Sequence, residues 1–126
     1  MSDPAYAGGC LCGAVRYQVT GAPYKSGVCH CRDCKKVTGS SFLAYADWRP
    51  NQFISTGEVR AYHGRSFCPA CGSRLFSIGD DQVEIYLGTL DDTPSVIGPD
   101  VEGWVIRREH WLPAIDSLPQ YERDIS

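Results

Sequence analysis

No stretch of this chain approaches the roughly 18 consecutive apolar residues of a membrane-crossing helix, so no membrane partner is expected. The opening residues, MSDPAYAGG, hold neither a basic cluster nor an apolar core. That predicts the absence of a secretory leader and points to a cytoplasmic protein. Excess positive charge is also missing: 12 Lys and Arg stand against 15 Asp and Glu, a formal net charge of −3. A partner that neutralises a phosphate backbone needs the opposite balance, so no nucleic-acid partner is expected. There is no internal repeat, linker or low-complexity tract, and residues 1–126 read as a single domain with one modest core. Helical periodicity is confined to about Arg32–Val37, which excludes a helix bundle.

Turn-forming residues are plentiful. The 13 glycines and 8 prolines exceed their average combined share of about 12% and predict short elements joined by tight turns. With 43% hydrophobic and 21% charged residues, the chain is not composed like a disordered one. Strands are expected at Ala14–Val19, Ser41–Ala46, Glu58–Tyr62, Arg74–Ile78, Val83–Leu87 and Trp104–Arg107. In the first, Val15, Tyr17 and Val19 alternate with Arg16 and Gln18, the pattern of a half-buried strand. Val83, Ile85 and Leu87 alternate in the same way. The expected architecture is all-β or mostly β.

Seven cysteines carry the chemistry, and they are grouped: Cys10-x-Cys12, Cys29-x-Cys31-x-x-Cys34 and Cys68-x-x-Cys71. An odd count without an export signal argues against a disulfide framework, and Cys-x-Cys has poor geometry for a mutual disulfide. Metal binding explains the grouping. Structural Zn²⁺ takes four soft ligands in a tetrahedron. Cys68-Pro69-Ala70-Cys71-Gly72 reads as a two-ligand knuckle, with Pro69 fixing φ and Gly72 free to take the positive φ that ends the turn. Cys10-Leu11-Cys12-Gly13 is a second two-ligand unit ending in glycine. Together Cys10, Cys12, Cys68 and Cys71 make a closed four-thiolate site that ties the N-terminal strand to the middle of the chain. Cys29, Cys31 and Cys34 remain. Three ligands with an open fourth position is the pattern of a catalytic zinc, the fourth place going to water, a substrate thiol or a histidine. His30 sits between two cysteines, and adjacent residues rarely bind the same metal; His63 and His110 are lone histidines, more often surface or hydrogen-bonded than ligating. Iron is the rival metal, but a four-plus-three partition does not match common iron–sulfur spacings.

The segments GGCLCGAVRY (8–17), CHCRDCKKVTGSSF (29–42), FCPACGSRLF (67–76) and GTLDD (88–92), with Trp111 and Leu118-Pro119-Gln120-Tyr121, carry a resemblance. The chain resembles the glutathione-dependent formaldehyde-activating enzymes, a family grouped with centromere protein V. The resemblance implies a β-tent, Mss4-like fold stabilised by two zinc ions per chain. It implies a structural zinc on Cys10, Cys12, Cys68 and Cys71 and a catalytic zinc on Cys29, Cys31 and Cys34. The implied activity is that of a carbon–sulfur lyase that joins glutathione and formaldehyde into S-hydroxymethylglutathione. One departure stands out: the family often has a histidine in the strand before the C-terminal tryptophan, and Val101-Glu102-Gly103-Trp104 lacks it.

Three thiolates outweigh the charge of one Zn²⁺, so the open centre is electron-rich and soft. It suits a thiol as fourth ligand better than it suits acidifying water. Glutathione carries two carboxylates, and Arg32, Lys35 and Lys36 beside the cluster are candidates to hold them. A solvated basic helix face is the plainer reading of the same three residues. Asp33 reads as a turn acid or as an acceptor behind the ligands, Asp91-Asp92 as a turn, and Trp48, Trp104 and Trp111 as core or rim aromatics. The alternatives to the lyase are a non-catalytic zinc-binding interaction module and a relative using another small thiol or electrophile.

Overall fold

The computed structural model describes residues 3–125 and is mostly β, as the turn-rich composition predicts. Among the described residues there are ten strands: β1 (Ala5–Gly9), β2 (Arg16–Thr20), β3 (Lys25–Cys29), β4 (Leu43–Trp48), β5 (Phe53–Thr56), β6 (Arg60–Tyr62), β7 (Arg65–Phe67), β8 (Arg74–Ile78), β9 (Val83–Tyr86) and β10 (Glu102–Gly103). One α-helix, α1 (Arg32–Thr38), lies between β3 and β4. The strands form two sheets: three strands in the order β1-β2-β5, and seven in the order β10-β3-β4-β9-β8-β7-β6. Pairing is antiparallel except where β10 runs parallel to β3.

Alternation explains the core. Val15, Tyr17 and Val19 are buried as their spacing predicts, and they meet Ala46, Trp48, Leu75, Phe76, Val83 and Ile85 from the larger sheet. Tyr17, Phe53 and Phe76 form an aromatic cluster, with centroids 5.0 Å apart for Phe53 and Phe76 and 5.9 Å for Tyr17 and Phe76. Edge-to-face contacts of this kind favour packing beyond the area they bury. Trp48, a core residue, satisfies its one donor by giving Nε1–H to the Gly21 carbonyl at 2.8 Å.

The other face of the larger sheet is different in character. Leu43, Tyr45 and Tyr86 form a smaller buried cluster there, packed against Cys29, Cys34 and Val37. Helix α1 starts at Cys31, whose Sγ accepts the Cys34 amide, and stops at Gly39, which takes φ 68°.

Two expectations need correction. Trp104–Arg107 is not a strand: Val105–Arg107 is a 3₁₀ turn, and the pairing residues are Glu102 and Gly103 just before it. The reason is that the tail, not a local pattern, holds this segment. Glu102 N–H donates to Pro119 O, Tyr121 N–H to Glu102 O and Trp104 N–H to Arg123 O. Asp91 also does more than turn the chain, because its carboxylate receives both Arg16 Nη1 and Nη2.

Candidate metal centres

The first cluster forms where two turns meet. Gly13 and Gly72 take φ of 83° and 79°, and a Cβ at either would touch nothing within 4 Å. Glycine is therefore needed at both for its backbone and not for space. The turns are stitched together by Leu11 N–H donating to Ser73 Oγ at 2.9 Å. As a result, the Sγ atoms of Cys10, Cys12, Cys68 and Cys71 all lie within 4.8 Å of one another. Cys10 and Cys12 are 3.6 Å apart and Cys12 and Cys68 3.8 Å. A disulfide would need about 2.0 Å. A zinc tetrahedron with bonds of about 2.3 Å has edges of about 3.8 Å, so the donor set and its spacing fit zinc. The Ser73 hydroxyl and backbone amides hold the Cys71 thiol down to about 5.

The second cluster is built from one short segment. Cys29 ends β3, Cys31 caps α1 and Cys34 lies in the helix's first turn, and their sulfurs are again within 4.8 Å of one another. The Cys34 amide donates to Cys31 Sγ at 3.3 Å. A hydrogen bond with Cys34 and another with the Cys31 amide bring the Cys29 thiol down to about 6, against the effect of burial. Among the described residues no histidine nitrogen joins either cluster.

His30 is committed elsewhere. Its Nε2–H donates to Glu102 Oε1 at 2.9 Å, and both residues are 1% exposed. Glu102 also accepts from Ile115 N–H at 2.7 Å and Gln120 Nε2 at 2.8 Å, with Arg108 Nη2 at 3.5 Å. Burial alone would push this carboxyl up. Gln120, Ile115, His30 and Arg108 more than offset it and hold the carboxyl below its ordinary range. The position read as lacking a family histidine thus carries the acid that binds the tail to the residue between two of the cysteines. No short-range motif marks Glu102; its three close donors lie 13 to 72 residues away.

The three-cysteine cluster opens onto cavities. Cys29 and Cys34 line one of about 470 Å³, with Lys25, Tyr45, Asp47, Glu84, Trp104 and Asp124 among its walls. That volume lies within the range of small-molecule sites, about 300–1,000 Å³. A neighbouring hollow of about 270 Å³ shares Cys34 and Glu84 and adds His63 and Arg65. Trp104 gives Nε1–H to Asp124 Oδ1 at 2.8 Å, fixing part of the first wall.

The basic residues named from sequence are distributed around this cluster. Lys35 Nζ pairs with Glu109 Oε1 at 2.7 Å and also donates to Arg107 O. Arg32 is exposed and lines a third hollow with Cys31, Trp104, Arg107 and Asp124, and Lys36 is exposed. Asp33 sits 3.8 Å from Arg65. Trp111 is a rim residue, 69% exposed. Sequence reasoning passed over Asp47 and Glu84; alternation placed Glu84 opposite Val83 and Ile85 but could not show that this face is covered.

No described helix is long and apolar enough to cross a membrane. A family model described as glutathione-dependent formaldehyde-activating enzyme matches residues 5–107. A protein of Schizosaccharomyces pombe named as an uncharacterized lyase is 30% identical over an alignment of 78 residues, with 58% of this chain covered. The match spans 57% of the length of that relative.

Proposed function

The chain belongs to the glutathione-dependent formaldehyde-activating family, and from that premise we propose that it is a zinc-dependent carbon–sulfur lyase acting on a thiol–aldehyde adduct. Glutathione and formaldehyde, giving S-hydroxymethylglutathione, are the substrates this reading favours. The observation that carries it is the convergence of three cysteine sulfurs, two of them from Cys29 and Cys34, which line a cavity of about 470 Å³, without a fourth protein ligand among the described residues. A closed site has no use for such a cavity.

In this reading residues 1–126 act as one domain holding two zinc ions. Cys10, Cys12, Cys68 and Cys71 hold the structural ion, and Cys29, Cys31 and Cys34 hold the catalytic one. The catalytic zinc, when bound, supplies a soft position at which a substrate thiol is favoured as its thiolate. The chain's own residues set the geometry. Cys31 fixes the start of α1, so Cys34 is presented beside Cys29. Trp104, tied to Asp124, forms part of the cavity wall. Arg32 and Lys36 remain exposed beside the cluster as partners for ligand carboxylates, whereas Lys35 is already engaged by Glu109. In the addition, the thiol sulfur bonds to the carbonyl carbon and the carbonyl oxygen takes up the proton the thiol has lost. The reverse breaks the same carbon–sulfur bond and returns the proton to sulfur. Thiolate centres of this kind persist in a reducing compartment, which favours the cytoplasm.

Two measurements test the reading together. Elemental analysis of protein purified without chelator is expected to give two zinc ions per chain. Exchange between free formaldehyde and its glutathione adduct at equilibrium, followed by NMR, is expected to be faster with wild type than with Cys34→Ser. No acceleration by zinc-replete wild type, together with no binding of glutathione, would refute it and leave a zinc-bearing interaction module.

A further inference from the structure

One row of side chains crosses the cavity face of the larger sheet. The register places Lys25 opposite Asp47, Asp47 opposite Glu84, Glu84 opposite Ser77 and Ser77 opposite Arg65. Residues directly opposite in a ladder share a face, so this polar row lies on the side that also carries Cys29 and Tyr45. At its centre two acids face each other across neighbouring strands, an arrangement that is destabilising when both are ionised. Asp47 is only 2% exposed, lines the cavity, and its Oδ1 has no hydrogen-bond partner. Among the described residues no cation lies within ion-pair distance of Asp47 or Glu84, Lys25 included. A buried, unpartnered carboxylate oxygen on a cavity wall is costly unless something completes it.

We propose that Asp47 and Glu84 form a subsite for a primary ammonium group, so that the thiol ligand of this cavity is one that carries such a group well away from its sulfur. The inference rests on the three-cysteine cluster being the thiol anchor. Distance gives it content. Cys29 pairs with Leu43, and Asp47 lies four residues further along β4, about 13 Å at 3.3 Å per residue. Side chains and ligand meet partway, leaving on the order of 10 Å between sulfur and ammonium. Cysteine and cysteamine are too short to span it, and a peptide thiol with a distal amino group reaches. Charge agrees, because the cavity wall carries Asp47, Glu84 and Asp124 against Lys25 alone. Burial pushes Asp47 up to about 6 and, with Asp47 as a neighbour, Glu84 up to about 7, the condition of two carboxyls waiting for a counter-charge. A divalent cation fits less well, since calcium and magnesium call for about six oxygen ligands and the pair offers two side chains.

Calorimetric titration of the zinc-replete protein with three probes tests this: glutathione, its N-acetylated form, which keeps the thiol and loses the ammonium, and S-methylglutathione, which does the reverse. Acetylation is expected to weaken binding to wild type by about tenfold or more, as loss of a charge-assisted contact should. In Glu84→Gln and Asp47→Asn the difference between glutathione and its acetylated form should collapse. Equal binding of those two probes to wild type, which needs no variant to fold, overturns the subsite while leaving the thiol anchor intact. A difference that survives in both variants also overturns it. If S-methylglutathione binds as tightly as glutathione and is weakened by the same substitutions, the subsite holds and it is the thiol anchor that fails.

Discussion

Glu102→Ala is expected to loosen the whole segment that follows β10. The Glu102 carboxylate is 1% exposed and accepts from three donors between 2.7 and 2.9 Å: Ile115 N–H, Gln120 Nε2 and His30 Nε2. Truncation leaves His30 Nε2 and the Ile115 amide without their acceptor in a site with little water. Each orphaned buried donor costs roughly 1–3 kcal/mol, and removing one side of a buried charged network roughly 3–5 kcal/mol in all. We take about 3–5 kcal/mol as the expected loss, a large share of a typical 5–15 kcal/mol. Glu102→Gln keeps the volume and one acceptor oxygen but turns a donor toward donors, so it should fall about halfway. Urea denaturation of the zinc-replete protein reads the loss as a lowered midpoint. Hydrogen exchange gives the local signature: the amides of Ile115 and Tyr121, whose partners are Glu102 Oε2 and Glu102 O, should exchange faster in the alanine variant. A loss under about 1 kcal/mol with unchanged exchange at Ile115 would refute the reasoning, because it would mean that the tail does not depend on this carboxylate.

The two clusters should differ in what they stabilise. Cys10 and Cys12 are joined to Cys68 and Cys71 across more than 50 residues, and a structural zinc contributes an apparent 10–16 kcal/mol or so, so Cys71→Ser should unfold or aggregate. Cys31→Ser, within one short segment, should stay folded with about one zinc per chain, and equal melting temperatures for the two variants would contradict the division of roles. Asp47 and Glu84 have folded-state values raised above their ordinary ones, to about 6 and about 7. Their contribution is therefore fully present at low pH and is lost as pH rises from about 4 through 7; Asp47→Asn should stabilise more at pH 8 than at pH 4, by up to roughly 3 kcal/mol, read from urea midpoints at both. Gly8→Ala should lower the melting temperature, because its Cβ would collide with Tyr17 Oη and the Thr89 carbonyl, an overpacking cost of roughly 1–3 kcal/mol.

What could be read in advance follows from where the information sits. The cysteine partition was legible because ligand geometry is imposed by spacing within a few residues, and Gly13 and Gly72 mark the turns that spacing requires. Strands β2 and β9 were legible because one face meets the core and alternates accordingly, whereas β8 buries Leu75 and Phe76 side by side and was marked only by its short apolar run. Strand β3, KSGVC, was not. Its Ser26, Gly27 and Val28 are all buried, so no alternation exists, and Gly27 is small because Tyr45 Oη and Val101 Cγ1 would lie 2.8 and 2.9 Å from a Cβ. β1, AYAGG, buries only Gly8, packed against Tyr17, and its small residues carry no strand signal. β10 is two residues long, and only its hydrogen bonds to β3 and to the tail make it a strand. Asp47 lies just beyond the strand expected at Ser41–Ala46, and Glu84 falls on the side away from Val83 and Ile85; alternation tells which side a residue is on, never what covers that side.

That covered side explains why the chain spends stability on it. The larger sheet has one face of Ala46, Trp48, Phe76, Val83 and Ile85 that packs against the smaller sheet, and burial of that face supplies the hydrophobic drive. Its opposite face carries acids in cross-strand register, three cysteine sulfurs within 4.8 Å and a buried unpartnered carboxylate oxygen, each of which costs folding free energy when unfilled. An apolar residue at position 47 or 84 would pack with Tyr45 and Tyr86 and relieve the repulsion. A sheet face selected for stability alone would therefore not look like this one. The cost is concentrated where β3, β4, β9 and the start of α1 converge on one cavity, and the four-cysteine cluster, which joins the first turn to the β7–β8 turn, lies outside it. On the proposed roles the division is consistent: the four-cysteine cluster and the core-facing sheet face hold the chain together, and the strain is kept on the face where the proposed ligand would relieve it.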